Sequence, residues 1–176
     1  MFTSFKSFCK GLLKTAKASA LGLALCAVFG AAALAGELLK KGPYSTSWTF
    51  SGPYTVVQIG EEKWAWSSRF TLVVSNDAGE GVLHNMSGNC VGMGSQEPNA
   101  PFTDSGYCSF FDAAGDKIFA YWYEKETGKG TTTLLGGTGK YAGIQGSDTY
   151  EYVYTPDAPE GTFNGYGHGK GSYTLP

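Results

Sequence analysis

The stretch Gly136-Gly137-Thr138-Gly139-Lys140-Tyr141-Ala142-Gly143-Ile144-Gln145-Gly146 leads directly into Asp148-Thr149-Tyr150-Glu151-Tyr152. Glycine supplies the positive-φ and close-approach positions that tight turns need, and alternating tyrosines suit a strand with one buried face. A glycine-dense turn that feeds such a strand predicts a corner of a closed antiparallel barrel. Nucleotide motifs fail on spacing. A dinucleotide fingerprint needs glycine where Ala142 stands, and needs a helix after it; a P-loop needs Ser or Thr where Tyr141 follows Lys140.

The rest of the chain agrees with that corner. Lys63 to Ser75 alternates, with Trp64, Trp66, Phe70, Leu72 and Val74 on one parity and Lys63, Ser67, Arg69, Thr71 and Ser75 on the other. Thr46 to Phe50 and Tyr54 to Ile59 read as two short strands separated by Gly52-Pro53, and Gly60-Glu61-Glu62 turns the chain into the long strand. Asn76-Asp77-Ala78-Gly79 is a second turn signal. Val82 to Met93 is then expected as a strand with Val82, His84, Met86 and Cys90 on one face. Tyr107 to Phe111, Lys117 to Glu124, Thr131 to Leu135, Ser147 to Tyr154 and Thr162 to Thr174 complete eight or nine strands. The predicted class is all-β: a single closed antiparallel β-barrel of about eight strands, calycin-like in outline.

The last strand has an uncommon composition. Gly165, Gly167, Gly169 and Gly171 occupy one parity, and Asn164, Tyr166, His168, Lys170 and Ser172 the other. Placed inside, the glycines would let the sheet coil and leave space for a cavity; placed outside, they would admit another backbone and mark a subunit contact. The polar, charged alternate face favours the inward placement.

Residues 1–35 have the features of a cleaved export signal. Lys6, Lys10, Lys14 and Lys17 precede the apolar run Ala18 to Ala33, and Ala33-Leu34-Ala35 offers a cleavage site before Gly36. An uncleaved anchor, or lipidation at Cys26, are the alternatives. The barrel domain is then 36–176, with a periplasmic or secreted location and no membrane association after cleavage. Its nine basic residues against fifteen acidic ones give a net charge of −6, so nucleic acid, which binds through basic patches, is not expected as a partner. Cys90 and Cys108 remain in an oxidising setting, which predicts a disulfide; two separately buried thiols are the alternative. No metal or cofactor motif is evident.

The quoted turn and the strand after it are similar to the late hairpin of the allene oxide cyclase and dirigent-like barrels, which include small exported bacterial members. Looser similarity extends from Gly81 to Tyr154. The resemblance implies an allene oxide cyclase-like barrel of eight antiparallel strands around an apolar cavity, often assembled as a trimer. It carries over no catalytic residue, because neither the cyclase's pocket acid nor the dirigent pocket's acid and arginine aligns with a particular position.

Function then has to be sought in the cavity. Trp64, Trp66, Phe70, Met86, Tyr150 and Tyr152 are the expected ligand-binding side chains, together with His84, whose imidazole is also the one weak candidate for catalysis. The expected partner is a small apolar or aromatic molecule. An isomerase or cyclase-type enzyme in the same cavity, or a structural module that forms a homo-oligomer, are the alternatives.

Overall fold

The computed structural model describes residues 38–176. The expected export signal over 1–35, with Cys26, lies outside the described residues. Eight strands run in chain order: β1 Lys41–Gly60, β2 Lys63–Asn76, β3 Met86–Gln96, β4 Thr103–Phe111, β5 Lys117–Glu126, β6 Lys129–Gly137, β7 Gln145–Tyr154 and β8 Thr162–Thr174. Each pairs antiparallel with the next, and β8 pairs back onto β1, so the fold is a closed eight-stranded barrel. Closure leaves no unpaired sheet edge within the ring.

Two details differ from the sequence expectation. The first is that β1 is one strand of twenty residues. Gly52 and Pro53 are the last β1 residues paired with β8, at Phe163 and Thr162, whereas pairing with β2 resumes at Tyr54 and continues to the hairpin turn. The Gly-Pro pair therefore marks where β1 parts from β8 and runs on with β2 alone. The second is that Val82, Leu83 and His84 stand in a turn, and β3 begins only at Met86. Leu83 (φ 61°) and Asn85 (φ 50°) lie in the left-handed region, which an extended strand cannot accommodate. That backbone tucks Val82 and Leu83 into the end of the barrel, where apolar burial offsets the strain.

The glycine-rich corner completes the same end. A 3₁₀ turn over Gly139–Tyr141 buries Tyr141, and Ile144 follows it into the core beside Val82, Met86 and Ile118. The Thr138 hydroxyl accepts from the Lys117 backbone N–H at 2.9 Å, which fixes the turn to the start of β5. Gly139 has φ +55°, and a Cβ there would run into the Asp116 carboxylate, so this position requires glycine. One end of the barrel is thus closed by the β2–β3 and β6–β7 connections. The end bounded by the β1–β2, β3–β4, β5–β6 and β7–β8 connections leads into the interior.

Cys90 and Cys108 face each other in the β3–β4 register, with Cα atoms 4.2 Å apart, and form the expected disulfide. The bridge closes a loop across a separation of 18 residues. Reduction is expected to lower stability by about 2–3 kcal/mol through the added freedom of the unfolded chain. Urea denaturation with and without dithiothreitol measures the difference.

Candidate functional site

The inward faces of the strands set the chemistry of the interior. From β1 to β7 the even-numbered residues point inward; in β8 the parity switches, and Gly165, Gly167 and Gly169 are buried. In the register, Gly165 lies between Phe50 and Tyr154, Gly167 between Trp48 and Tyr152, and Gly169 between Thr46 and Tyr150. The space above Gly165 and Gly167 is taken by the rings of Phe50 and Trp48, whereas Gly169 borders the cavity. Trp48 and Tyr152 meet with centroids 6.2 Å apart, Phe50 and Tyr152 at 5.5 Å, and Phe50 and Tyr154 at 5.8 Å. A glycine strand thereby brings the aromatics of two non-adjacent strands together.

Between this aromatic wall and the opposite one lies a cavity of about 480 Å³. Phe70, Trp122 and Phe110 line it from β2, β5 and β4, with Phe70 packed between Phe50 and Trp122, and the buried Val74, Leu83 and Leu134 complete the lining. Tyr54 and Val56, both largely exposed, line its mouth. The volume lies within the roughly 300–1,000 Å³ usual for small-molecule sites.

Three carboxyl groups line this apolar chamber: Asp104, Glu124 and Asp148. Glu124 is only 4% exposed. Its Oε1 accepts from the Tyr150 hydroxyl at 2.9 Å and its Oε2 from Tyr152 at 3.0 Å, while Tyr154 lies 3.2 Å beyond Tyr152. Burial pushes the Glu124 carboxyl from an ordinary 4.5 up to about 7, with the Asp104 charge adding to the rise and the two tyrosine hydroxyls opposing it. Burial raises Asp104 as well, against an indole hydrogen bond from Trp66 Nε1 at 3.0 Å, and raises Asp148, which accepts from Tyr44 at 2.8 Å. Tyr44, Tyr150 and Tyr152 are pushed upward by burial first and by their carboxylate partners second, so all three remain neutral donors.

No protein-family model and no curated protein matches the sequence. Among solved structures the barrel is similar to two pterocarpan synthase dirigent proteins. One is 11% identical over 78% of this chain and 87% of that one (TM-score 0.49); the other is 9% identical over 78% and 98% (TM-score 0.46). It is also similar to a pyocyanin demethylase, 18% identical over 72% of this chain and 98% of that one (TM-score 0.45). Dirigent barrels, which the Gly136–Gly146 hairpin resembles, are thus among the structural matches. The likeness is one of fold.

The site residues expected from sequence fall into two groups. Trp66, Phe70, Tyr150 and Tyr152 line the cavity together. Trp64 shares their parity but stands 42% exposed near the β1–β2 hairpin turn, outside the cavity wall. Met86 is fully buried in the packed end and His84 lies in the β2–β3 connection, its ring between Ser75 Oγ at 3.2 Å and Asn85 Nδ2 at 2.9 Å. Neither borders the cavity: the turn at Val82–Asn85 sends Leu83 to the cavity floor, leaves His84 half-buried beside Ser75 and Asn85, and packs Met86 into the closed end. Among the described residues, no group of His, Cys, Asp and Glu is arranged to hold a metal ion.

Sequence reasoning passed over Asp104, Glu124, Asp148, Trp48 and Trp122. The signal was present as a carboxylate in phase with an apolar face. Glu124 follows Ile118, Ala120 and Trp122 at intervals of two, Asp104 precedes Gly106, Cys108 and Phe110, and Asp148 precedes Tyr150 and Tyr152. A charged residue in that phase must enter the barrel unless the register slips.

Proposed function

We propose that this protein binds a small molecule with an apolar or aromatic body inside the barrel. The observation that carries this reading is the aromatic cavity of about 480 Å³, open at one end, with buried Glu124 held in its wall under two tyrosine hydroxyls. Apolar walls supply affinity through area removed from water, and a few fixed polar groups orient the guest. The Cys90–Cys108 bridge supports a location outside the cytoplasm.

Catalysis of the isomerase or cyclase type is the second reading, and Glu124 favours it. A carboxyl that titrates near neutrality can take a proton from one atom of a bound molecule and return it to another without consuming a co-reactant. The walls would hold the reactive conformation.

Native mass spectrometry of the purified protein tests the binding reading. Retained mass that leaves on unfolding is expected. Ser68 faces inward on β2 between Trp66 and Phe70, and Ser68→Trp places a large ring in the cavity with no backbone change. That variant is expected to fold and to bind guests about tenfold or more weakly. Undiminished binding in the folded variant would place the guest elsewhere.

A further inference from the structure

We infer that the cavity selects a cationic guest, an aromatic or alkyl-aromatic amine in its ammonium form. The inference rests on the cavity reading above and adds the charge of the ligand. Its basis is an imbalance in the wall. Among the described residues, Asp104, Glu124 and Asp148 line the cavity, and no lysine, arginine or histidine does. The chain's one arginine, Arg69, is exposed on the outward parity of β2, and His168 and Lys170 are exposed on the outward parity of β8. An anionic guest would meet three acids and no counter-charge.

The vacant hydrogen-bonding capacity points the same way. Asp104 Oδ1 and Asp148 Oδ1 are buried acceptors without a partner, against one buried donor, Nε1 of Trp122, whose side chain is more than nine-tenths buried in the same wall. Buried polar atoms without partners cost free energy that a complementary guest can recover. An ammonium group offers up to three donors and no acceptor. The surrounding rings of Trp48, Phe50, Phe70, Tyr150 and Tyr152 present the π faces that attract a desolvated cation.

Protonation couples to this preference. The groups that face Glu124 are Tyr150, Tyr152 and Tyr154 from β7 and Asp104 from β4. None is a cation, so the positive charge that would hold Glu124 ionised has to come with the guest. Ammonium binding is therefore strongest where the carboxylate already exists, above about pH 7, and weakens below it.

Calorimetric titration with three naphthalene probes of one shape tests the inference: 1-naphthylmethylammonium, neutral 1-naphthalenemethanol and anionic 1-naphthoate. At pH 8 the ammonium is expected to bind about tenfold or more tightly than the alcohol, and the carboxylate weakest. Ammonium affinity is expected to fall about tenfold between pH 8 and pH 6, as one proton competes for Glu124, with the alcohol nearly unaffected. In folded Glu124→Gln the ammonium should lose most of its pH dependence between pH 6 and pH 8, while Asp104 and Asp148 keep part of its advantage over the alcohol. Equal or tighter binding of the alcohol or carboxylate by the wild-type protein overturns the charge assignment and leaves the cavity reading standing. Binding of none of the three overturns both. Because the comparison of probes and of pH uses the wild-type protein, it stands even if the variant fails to fold.

Discussion

Gly167→Val is expected to destabilise the barrel by about 4 kcal/mol or more and to leave little folded protein. At this position a Cβ would lie 2.6 Å from the Trp48 ring and 2.5 Å from the Glu151 carbonyl oxygen. The ring is held by Tyr150 and Tyr152, and the oxygen belongs to the backbone of the neighbouring strand, so neither can move aside cheaply. The remaining valine methyl groups would displace Trp48 from β8 and separate it from Tyr152. His168→Val, next in the chain but exposed on the outer face, is expected to change stability by no more than about 0.5 kcal/mol. Urea denaturation of the two variants measures the contrast. Similar losses in both would mean that inward packing over β8 does not hold the barrel together.

Without a guest, the protein is expected to lose on the order of 3 kcal/mol of stability between about pH 5 and pH 8, through Glu124. The unfolded chain releases this proton near 4.5, whereas burial in the folded barrel holds it up to about 7. Between those values the folded state binds more protons, so stability falls as pH rises. Burial raises Asp104 and Asp148 too, and both add in the same direction. Asp77 acts oppositely: hydrogen bonds from Ser45 and Ser47 hold it below its ordinary 3.8, so its contribution disappears only in more acidic solution, outside this window. Glu124→Gln is expected to flatten the profile, as read from thermal unfolding across the pH range. A wild-type profile that rises from pH 5 to pH 8 would show that Glu124 is not held in a dry wall. A bound ammonium guest, by supplying the missing counter-charge, should restore much of the stability at pH 8.

The two results bear on one design. The glycines of β8 let the β1 and β7 aromatics close over the strand, and this packing helps exclude water from around the Glu124 carboxyl in the chamber wall. The same exclusion shifts its proton affinity toward neutrality. Fold and site chemistry therefore depend on the same residues.

Much of this was present in the linear chain. Period-two alternation through Lys63–Ser75, the turn at Asn76–Gly79 and the glycine corner before Tyr150 set strand, turn and class, because each depends on local backbone preference and side-chain phase. The Cys90–Cys108 bridge was expected from two cysteines left in an oxidising setting, and the β3–β4 register brings them face to face. His84 was misplaced because positive φ at Leu83 and Asn85 is a response to burial of Val82 and Leu83, and burial is decided by distant strands. Trp64 and Trp66 are indistinguishable by phase. Both pair with the part of β1 beyond its parting from β8, but Trp66 is held over the cavity by Asp104 and Phe102, whereas Trp64, two residues nearer the hairpin turn, is exposed. Glu124 alternates with apolar residues in the sequence, but its raised proton affinity comes first from burial and then from Asp104 on β4, against opposing hydrogen bonds from Tyr150 and Tyr152 on β7. By itself the sequence determined that this chain is a barrel and which residues share a strand face. Only the tertiary structure decided which face encloses a cavity and which acids lie within it, because desolvation and charge depend on neighbours that ring closure brings together.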